Sequence, residues 1–174
     1  MKVRTPLGRL PATVVVAANM AFWPTWTAVV GYAAARTGDG RFDHDDLITR
    51  IRPVERGGRW YRDRLRIERW KNRLPERGDA FGGFAKRSVA AGDAEVLRQF
   101  VVETRRAEHA HWGMTAGIGL TLLWNPWWAL PVNAAVAAGS NLPCIAVQRY
   151  NRARLLRVLG RSSARAVGTT VGTK

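Results

Sequence analysis

The stretch from Glu103 to Leu120, ETRRAEHAHWGMTAGIGL, places carboxylates, guanidinium groups and imidazoles beside an apolar run. On a helix, Glu108 lies three residues before His111, so the two side chains can touch. A carboxylate that holds one imidazole nitrogen leaves the other as a base, which is how enzymes deprotonate a hydroxyl nucleophile. Arg105 and Arg106, which precede Glu108, are suited to binding a phosphate or a developing oxyanion. The pattern predicts four catalytic residues: Glu103, Arg106, Glu108 and His111. The alternative is a set of interfacial charges that only pair or extend towards water.

The position of this cluster indicates the kind of substrate. After His111 no charged residue occurs between Trp112 and Val147, a run of 36 residues. Catalytic groups at the start of an apolar segment suit a molecule whose apolar tail stays in lipid while its polar head reaches the interface. We therefore expect an amphiphilic substrate.

The charge distribution favours a membrane over nucleic acid. The net charge is +15, yet all 13 carboxylates fall between Arg36 and His111, and the cations at the two ends of the chain have no acid to offset them. Cations that flank uncharged runs are typical of membrane proteins. The single cysteine, Cys144, excludes an intramolecular disulfide framework and a cysteine-based zinc cluster.

Two uncharged runs predict the membrane segments. Residues 10–35 form a helix of about 39 Å, enough to cross a hydrocarbon core of about 30 Å, with Pro24 as a kink. The rival interpretation of this run is a secretory signal, because AAA precedes Arg36. Residues 112–147 are too long for one crossing, and WNPWW at their centre predicts the turn of a short or re-entrant helical hairpin. A buried hairpin in a soluble protein remains the alternative.

These patterns predict an all-α fold in one domain, a small integral membrane protein of the cell membrane. The expected segments are a transmembrane helix at 10–35, a cytoplasmic and interfacial segment at 36–111, a membrane hairpin at 112–147 and a basic cytoplasmic tail at 148–174. The positive-inside rule places the middle and the tail on the cytoplasmic side of a multi-pass chain.

The middle segment carries three further patterns. Trp60, Arg64, Ile67 and Lys71 fall on one face of a basic amphipathic helix ended by Pro75 and Gly78, suited to an anionic membrane or simply to a protein surface. FGGFAKRS, residues 81–88, combines a glycine turn with Lys86, which could hold a phosphate or be only a turn. DGRFDHDD, residues 39–46, matches no calcium loop, so we expect a solvated loop and no metal.

Beyond the apolar hairpin, NLPCIAVQRYNRARL is expected to leave the membrane through an Asn-Leu-Pro break into a basic helix. Residues 148–152 would form a polar rim on the same interface as His111, either for a coenzyme or lipid phosphate or for positive-inside anchoring. Cys144 is expected to pack in the apolar run.

The blocks RIERWKNRLPERG with FGGFAKRS, ETRRAEHAHW and NLPCIAVQRYNRARL together resemble the glycosyl-4,4'-diaponeurosporenoate acyltransferase family. This is a family of small integral membrane acyltransferases associated with the last step of staphyloxanthin biosynthesis. The resemblance covers much of residues 55–156 and implies transfer of a fatty acyl group to the sugar 6-hydroxyl of a glycosylated carotenoid. Carried over by motif, the positions of interest are Trp70, Lys71, Glu103, Arg106, Glu108, His111, Asn141, Pro143, Gln148, Arg149, Tyr150, Asn151 and Arg152.

The resulting hypothesis is that His111, oriented by Glu108, deprotonates a sugar hydroxyl that attacks an acyl thioester. The thioester, on coenzyme A or a carrier protein, is a co-substrate, and no cofactor or metal is expected. Besides membrane lipid, the expected partners are this donor and a lipophilic glycosylated acceptor, with no nucleic acid. The predicted substrate-binding residues are Trp70, Lys71, Lys86, Arg105, Asn141, Gln148, Arg149, Tyr150, Asn151 and Arg152. The alternative function is a non-enzymatic membrane protein that binds anionic lipid or scaffolds a pathway.

Overall fold

The computed structural model describes residues 1–74 and 94–171, with side chains described through Arg161. The chain is mostly helical, as expected. The elements in order are strands β1 (Lys2–Thr5) and β2 (Gly8–Pro11) and helices α1 (Ala12–Arg36), α2 (Arg59–Leu65), α3 (Ala94–Thr121) and α4 (Leu130–Val171). Short 3-10 turns occupy Asp39–Arg41, Pro53–Gly58, Ile67–Arg69, Lys71–Arg73 and Trp127–Ala129.

The N-terminal β-hairpin is a departure from the all-α expectation. Its antiparallel strands pair Lys2 with Pro11 and Thr5 with Gly8. The turn is closed by Thr5, whose Oγ1 donates to the Gly8 carbonyl at 3.0 Å, and Gly8 has a φ of +106° that suits only glycine. Helix α1 therefore begins after Pro11 rather than at Leu10, because Pro11 belongs to the strand.

Two helical segments are long and apolar enough to cross a membrane among the described residues: Ala12–Arg36 and Trp127–Arg161. Large apolar side chains point outward along both, as lipid-facing surfaces require. The exposed ones include Val14, Val16, Met20, Val29, Trp127, Trp128, Val132, Val136 and Leu142. These two helices support an association of the protein with a membrane.

The helical hairpin at WNPWW is present, but its second arm differs from the prediction. Helix α3 ends at Thr121, and the turn is held by the Asn125 backbone N–H, which donates to the Thr121 carbonyl at 3.0 Å. Helix α4 then continues through Pro143 for 42 residues, so the expected break at Asn-Leu-Pro is wrong. Proline removes one backbone hydrogen bond, and the packing of α3 along α4 outweighs that local loss.

Three asparagines spaced eight residues apart connect the helices. Each donates its side-chain N–H to the carbonyl four residues earlier, at 2.9–3.1 Å, so each side-chain oxygen is turned towards another helix. The oxygens of Asn125, Asn133 and Asn141 accept from Asn19 Nδ2, Trp23 Nε1 and His111 Nδ1 at 2.8, 3.1 and 2.9 Å. Such side-chain bonds hold apolar helices together where the hydrophobic effect gives little help.

The expected long amphipathic helix is interrupted. Helix α2 ends at Leu65, because Arg66 adopts a left-handed conformation with φ of +48°. The turn lets Ile67 become fully buried beside Tyr61, Val147 and Tyr150. Trp60 and Lys71 therefore do not share one helical face. The predicted ending at Pro75 and Gly78, and FGGFAKRS, lie outside the described residues.

Glycine at one position of α3 allows α1 to approach, which gives a first prediction. A Cβ on Gly117 would lie 2.5 Å from the Trp26 indole, whose Nε1 donates to the Gly113 carbonyl at 3.1 Å. We expect Gly117→Ala to lower the free energy of unfolding by about 1–3 kcal/mol through overpacking. Thermal unfolding in detergent measures this.

Gly119→Ala is the matched control, since a Cβ there meets nothing within 4 Å. Alanine favours a helix over glycine by about 0.5–1 kcal/mol, so this variant should be neutral or slightly more stable. Equal melting temperatures for the two variants would contradict the close contact between Gly117 and Trp26.

Candidate active site

The charged cluster of α3 divides between two faces, and the first face holds the segment that follows α1. Arg105 is buried, and its Nε lies 2.7 Å from Asp45 Oδ1. Its NH1 donates to the carbonyls of Phe42 and Asp43 at 3.1 and 2.9 Å. These three acceptors fix Arg105 to this loop. Arg105 therefore holds residues 42–45 against α3.

Arg106 closes the C-terminal end of α1. Its guanidinium donates to the carbonyls of Ala34, at 2.9 Å, and Thr37, and it pairs with Asp39 and with Glu103, the latter at 3.3 Å. Carbonyls in the last turn of a helix have no partner within that helix, so a cation there is stabilising. Burial raises the pKa of Glu103, although Arg106 acts in the opposite direction. Both residues thus have a structural use in this state.

His109 has polar partners that its spacing in the sequence did not predict. Its Nε2 lies 2.7 Å from Asp46 Oδ2, and its Nδ1 lies 3.0 Å from the Arg105 carbonyl. Each ring nitrogen therefore faces an oxygen of the protein. Hydrogen bonds from the Thr49 backbone and from His109 hold the pKa of Asp46 well below its usual range, although burial alone would raise it. Both nitrogens are occupied, which argues against a role as base.

Glu108 lies on the other face of α3 and is completely buried. Its two oxygens accept from Arg149 NH1, at 2.6 Å, and from Arg152 NH2, at 2.5 Å. Arg152 is also fully buried, and its Nε and NH1 have no hydrogen-bond partner among the described residues. The sequence spacing placed Glu108 against His111; the structure places it between two arginines of α4.

Arg149 joins this pair to the loop before α2. Its Nε donates to both Glu55 Oε2 and the Tyr61 hydroxyl. Its NH1 donates to the Ile48 carbonyl and to Glu108. Its NH2 donates to the Arg50 carbonyl and to Glu55. A guanidinium has five N–H donors, so all of them are used. Arg149 is therefore a clamp between three segments, and the phosphate contact predicted for it would require breaking bonds seen here.

The charges of this network balance, since the buried Glu55 and Glu108 face Arg149 and Arg152. Burial would raise the pKa of Glu55, but hydrogen bonds from Arg149, the Arg52 backbone and Tyr61 hold it below its usual range. Burial and the neighbouring Glu55 raise the pKa of Tyr61 to about 12, so its hydroxyl stays protonated and donates to Glu55 at 2.9 Å. The hydrogen bonds of the network therefore favour the ionised form of Glu55.

His111 is oriented by Asn141. Its Nδ1 lies 2.9 Å from Asn141 Oδ1, and Asn141 Nδ2 donates to the Ala137 carbonyl at 2.9 Å. Because the amide nitrogen is committed to its own helix, the oxygen faces the ring and must accept, so Nδ1 carries the proton. The lone pair is then on Nε2, which is the state required of a general base. His111 itself is half-buried.

A cavity of about 530 Å³ has Trp112, the residue that follows His111 in the chain, in its wall. Leu47, Ile48, Val54 and Trp60 give it an apolar lining, and Glu55, Tyr61 and Arg149 form its polar side. Ligand sites commonly combine an apolar wall with a few fixed polar groups. The cavity is therefore the candidate pocket for the reacting end of a substrate.

The remaining predicted substrate-binding residues lie around α4, except Lys86, which is outside the described residues. Trp70 Nε1 donates to the Leu65 carbonyl at 2.9 Å, and Lys71 Nζ lies 5.2 Å from the centre of the Tyr150 ring. The Tyr150 hydroxyl donates to Glu68. Gln148 and Asn151 are half-buried. Cys144 Sγ contacts the Ser140 carbonyl at 3.6 Å within α4.

The role of Asn141 gives a prediction with a built-in control. Asn141 and Asn133 are both 6% exposed, and both bond to their own helix and to one side chain on a neighbour. Asn141→Leu and Asn133→Leu should therefore lose similar stability, about 1–3 kcal/mol. Only Asn141→Leu should also lose turnover, by about tenfold or more, because the imidazole loses its fixed tautomer. Turnover per folded molecule and melting temperature separate these effects.

Equal turnover in the two leucine variants would show that Asn141 serves packing alone. Asn141→Asp adds a second readout, since a carboxylate also accepts from Nδ1 but favours the charged ring. Transfer by this variant should persist, with the acidic limb of its pH–rate profile moved to higher pH.

The fold and the site define a small helical protein with candidate membrane helices and a histidine site at the start of an apolar hairpin. Residues 44–161 match the family model for glycosyl-4,4'-diaponeurosporenoate acyltransferase. The chain belongs to this family and is an acyltransferase.

The chain aligns with most of the length of relatives that carry this name. The protein from Staphylococcus haemolyticus (strain JCSC1435) is 30% identical over 138 residues, 79% of this chain and 80% of the relative. The protein from Staphylococcus aureus (strain bovine RF122 / ET3-1) is 25% identical over 150 residues, 83% and 89% of the two chains. No solved structure matches the chain.

Proposed function

We propose that this acyltransferase moves a fatty acyl group from a thioester donor to a sugar hydroxyl of a glycosylated carotenoid or a similar glycolipid. The names of the relatives support the acceptor class, since they specify a glycosyl-4,4'-diaponeurosporenoate. The observation that carries the mechanism is the contact of His111 with Asn141, which leaves Nε2 as a base where the charged part of α3 meets its uncharged part.

The proposed reaction proceeds by direct transfer. Nε2 of His111 takes the proton of the sugar hydroxyl while the oxygen attacks the thioester carbonyl, forming the new C–O bond. The tetrahedral intermediate then expels the thiolate, which takes the proton back from the imidazolium. The products are the ester and the free thiol, and His111 returns to its neutral form. Arg105 and Arg106 are engaged with the loop after α1 and do not serve the intermediate in this proposal. The groups in the cavity wall make the substrate contacts.

The arrangement of apolar and polar surfaces supports an amphiphilic acceptor. The apolar tail would lie along the exposed faces of α1 and α4, and the head would enter the cavity beside Trp112. We place the chain in the cell membrane as a multi-pass protein with residues 36–111 on the cytoplasmic side. The support for this orientation is the concentration of arginine in that segment and in the C-terminal part of α4.

The test is mass spectrometry of lipid extracts from a host that supplies a glycosylated carotenoid. Cells expressing the chain should produce a compound heavier by one fatty acyl group, and cells with an empty vector should not. Membranes with purified acceptor and either an acyl-coenzyme A or an acyl carrier protein then identify the donor. Protein confirmed in the membrane without any acylated product, from either donor, would overturn the proposal.

A further inference from the structure

A second, smaller cavity lies between the start of α2 and the basic half of α4. Its volume is about 160 Å³, and four arginines line it together with Glu68 and Tyr150. Arg59 and Arg62 belong to α2, whereas Arg154 and Arg157 belong to α4. The cavity is separate in its lining residues from the larger one beside Trp112.

The glycines before α2 bring its arginines to α4. Gly57 and Gly58 have φ of +61° and +92°, a conformation that glycine adopts without strain. A Cβ on Gly57 would lie 3.2 Å from Arg157 Cδ, and one on Gly58 would lie 3.4 Å from Ala153 Cβ. A side chain at either position would therefore be strained by the backbone conformation and would lie in close contact with α4.

The charge of the cavity is not balanced by protein groups. Its carboxylate, Glu68, accepts from the Tyr150 hydroxyl, and Arg62 pairs with Asp63 at 2.8 Å. Arg59, Arg154 and Arg157 form no ion pair with a carboxylate among the described residues. This differs from Arg149 and Arg152, which the buried carboxylates hold. The four arginines are exposed, and Arg154 Cζ lies 5.4 Å from the centre of the Tyr150 ring. The cavity thus carries four guanidinium groups against one carboxylate in its lining.

We propose that this cavity binds a phosphate or diphosphate group of a ligand whose remainder extends outside it. A guanidinium group can donate two parallel hydrogen bonds to two oxygens of one phosphate. Guanidinium groups from both α2 and α4 would contact the anion from more than one side. The volume is below the roughly 300–1,000 Å³ typical of sites that enclose a whole small molecule, so only the head enters. The shared chemistry fits two sources: the phosphates of a soluble acyl carrier, or the phosphate of an anionic lipid.

The inference deepens the proposed function and rests on it where the ligand is the acyl donor. Binding is measured directly, on the full chain in nanodiscs of phosphatidylcholine, as the rise in melting temperature produced by a ligand. One arm adds coenzyme A or inorganic pyrophosphate. The other arm adds short-chain phosphatidylglycerol, compared with short-chain phosphatidylcholine at the same concentration.

The double variant Arg154→Gln/Arg157→Gln should weaken the effective probe by about tenfold or more, since charge-assisted hydrogen bonds are lost. The control is Arg50→Gln/Arg161→Gln, which removes the same charge from two exposed positions outside the cavity and should keep wild-type binding. A response to coenzyme A and pyrophosphate identifies a soluble ligand, and a response to phosphatidylglycerol alone identifies a lipid. No response from the wild type, or equal responses from the two double variants, overturns the inference.

The two proposals can fail separately. The melting-temperature assay needs no acyl transfer, and His111→Ala should leave it unchanged. If transfer occurs but the double variant binds every probe as the wild type does, only the phosphate site is discarded. If the probes bind as expected but no acylated lipid is formed, only the proposed function is discarded.

Discussion

Replacing His111 with alanine should lower the rate of acyl transfer by about 10²–10⁴-fold, the usual contribution of a positioned general base. The sugar hydroxyl would then lose the base that we propose accepts its proton as the new bond forms. The fold should survive, because His111 is half-buried and Asn141 keeps its bond to the Ala137 carbonyl. The measurement is the amount of acylated glycolipid formed per molecule of protein in the membrane fraction.

Two other histidines serve as controls. His44 is exposed in the loop after α1, and His44→Ala should transfer acyl groups at the wild-type rate. His109 binds Asp46 and the Arg105 carbonyl, so His109→Ala should lower the melting temperature more than the rate per folded molecule. Wild-type turnover in His111→Ala would remove this residue from the mechanism while leaving the family assignment intact.

The partner of His111 illustrates what spacing along one helix can and cannot predict. The i to i+3 rule considers only neighbours on the same helix, and it selected Glu108. The actual partner, Asn141, is 30 residues away on the antiparallel arm. Folding the sequence about Asn125 and Pro126 places positions 111 and 141 nearly level, so the predicted turn contained the signal for this pair. The arginine partners of Glu108 lie further along α4, about two to three turns beyond Asn141, and the same folding brings α3 and α4 together there.

The elements that the sequence predicted well are those with long, uniform patterns. The first apolar helix and the turn at WNPWW depend on runs of uncharged residues, and they occur where expected. The departures depend on single positions. Arg66 has a left-handed backbone that no local signal requires, since it is set by the burial of Ile67. Pro143 is a strong breaker in isolation, yet it lies within α4 because α3 packs along that helix.

The crowding of charge in α3 follows from its position between two polar neighbours. One face of the helix meets the loop at 37–46, where Arg105, Arg106 and His109 fix backbone carbonyls and carboxylates. The opposite face meets α4, where Glu108 and His111 find Arg149, Arg152 and Asn141. Most of the cluster therefore builds the scaffold, and His111 is the member to which we assign the proposed chemistry.

Glu108→Gln should be the most destabilising substitution in the buried network, lowering the free energy of unfolding by about 3–5 kcal/mol. Glutamine keeps the size of the side chain but removes the negative charge that faces Arg152, which is fully buried. Arg149 retains Glu55 as a counter-charge, whereas Arg152 would keep only uncharged acceptors such as the Thr49 carbonyl. A buried cation without a counter-charge strongly destabilises the folded state. We therefore expect most of the variant to aggregate on extraction into detergent.

A second variant separates loss of charge balance from loss of any single contact. Glu108→Gln/Arg152→Met leaves Glu55 and Arg149 as a balanced pair, so it should recover much of the stability lost in Glu108→Gln, because removing both members of a buried pair is far less harmful than removing one. Glu103→Gln is the control for a half-buried carboxylate, since its partner Arg106 also has Asp39, and it should change the free energy by about 1 kcal/mol or less. Melting temperatures and the monodisperse fraction after size-exclusion chromatography report all three. If the double variant is as unstable as Glu108→Gln, then Glu108 acts through shape or hydrogen bonding rather than by neutralising Arg152.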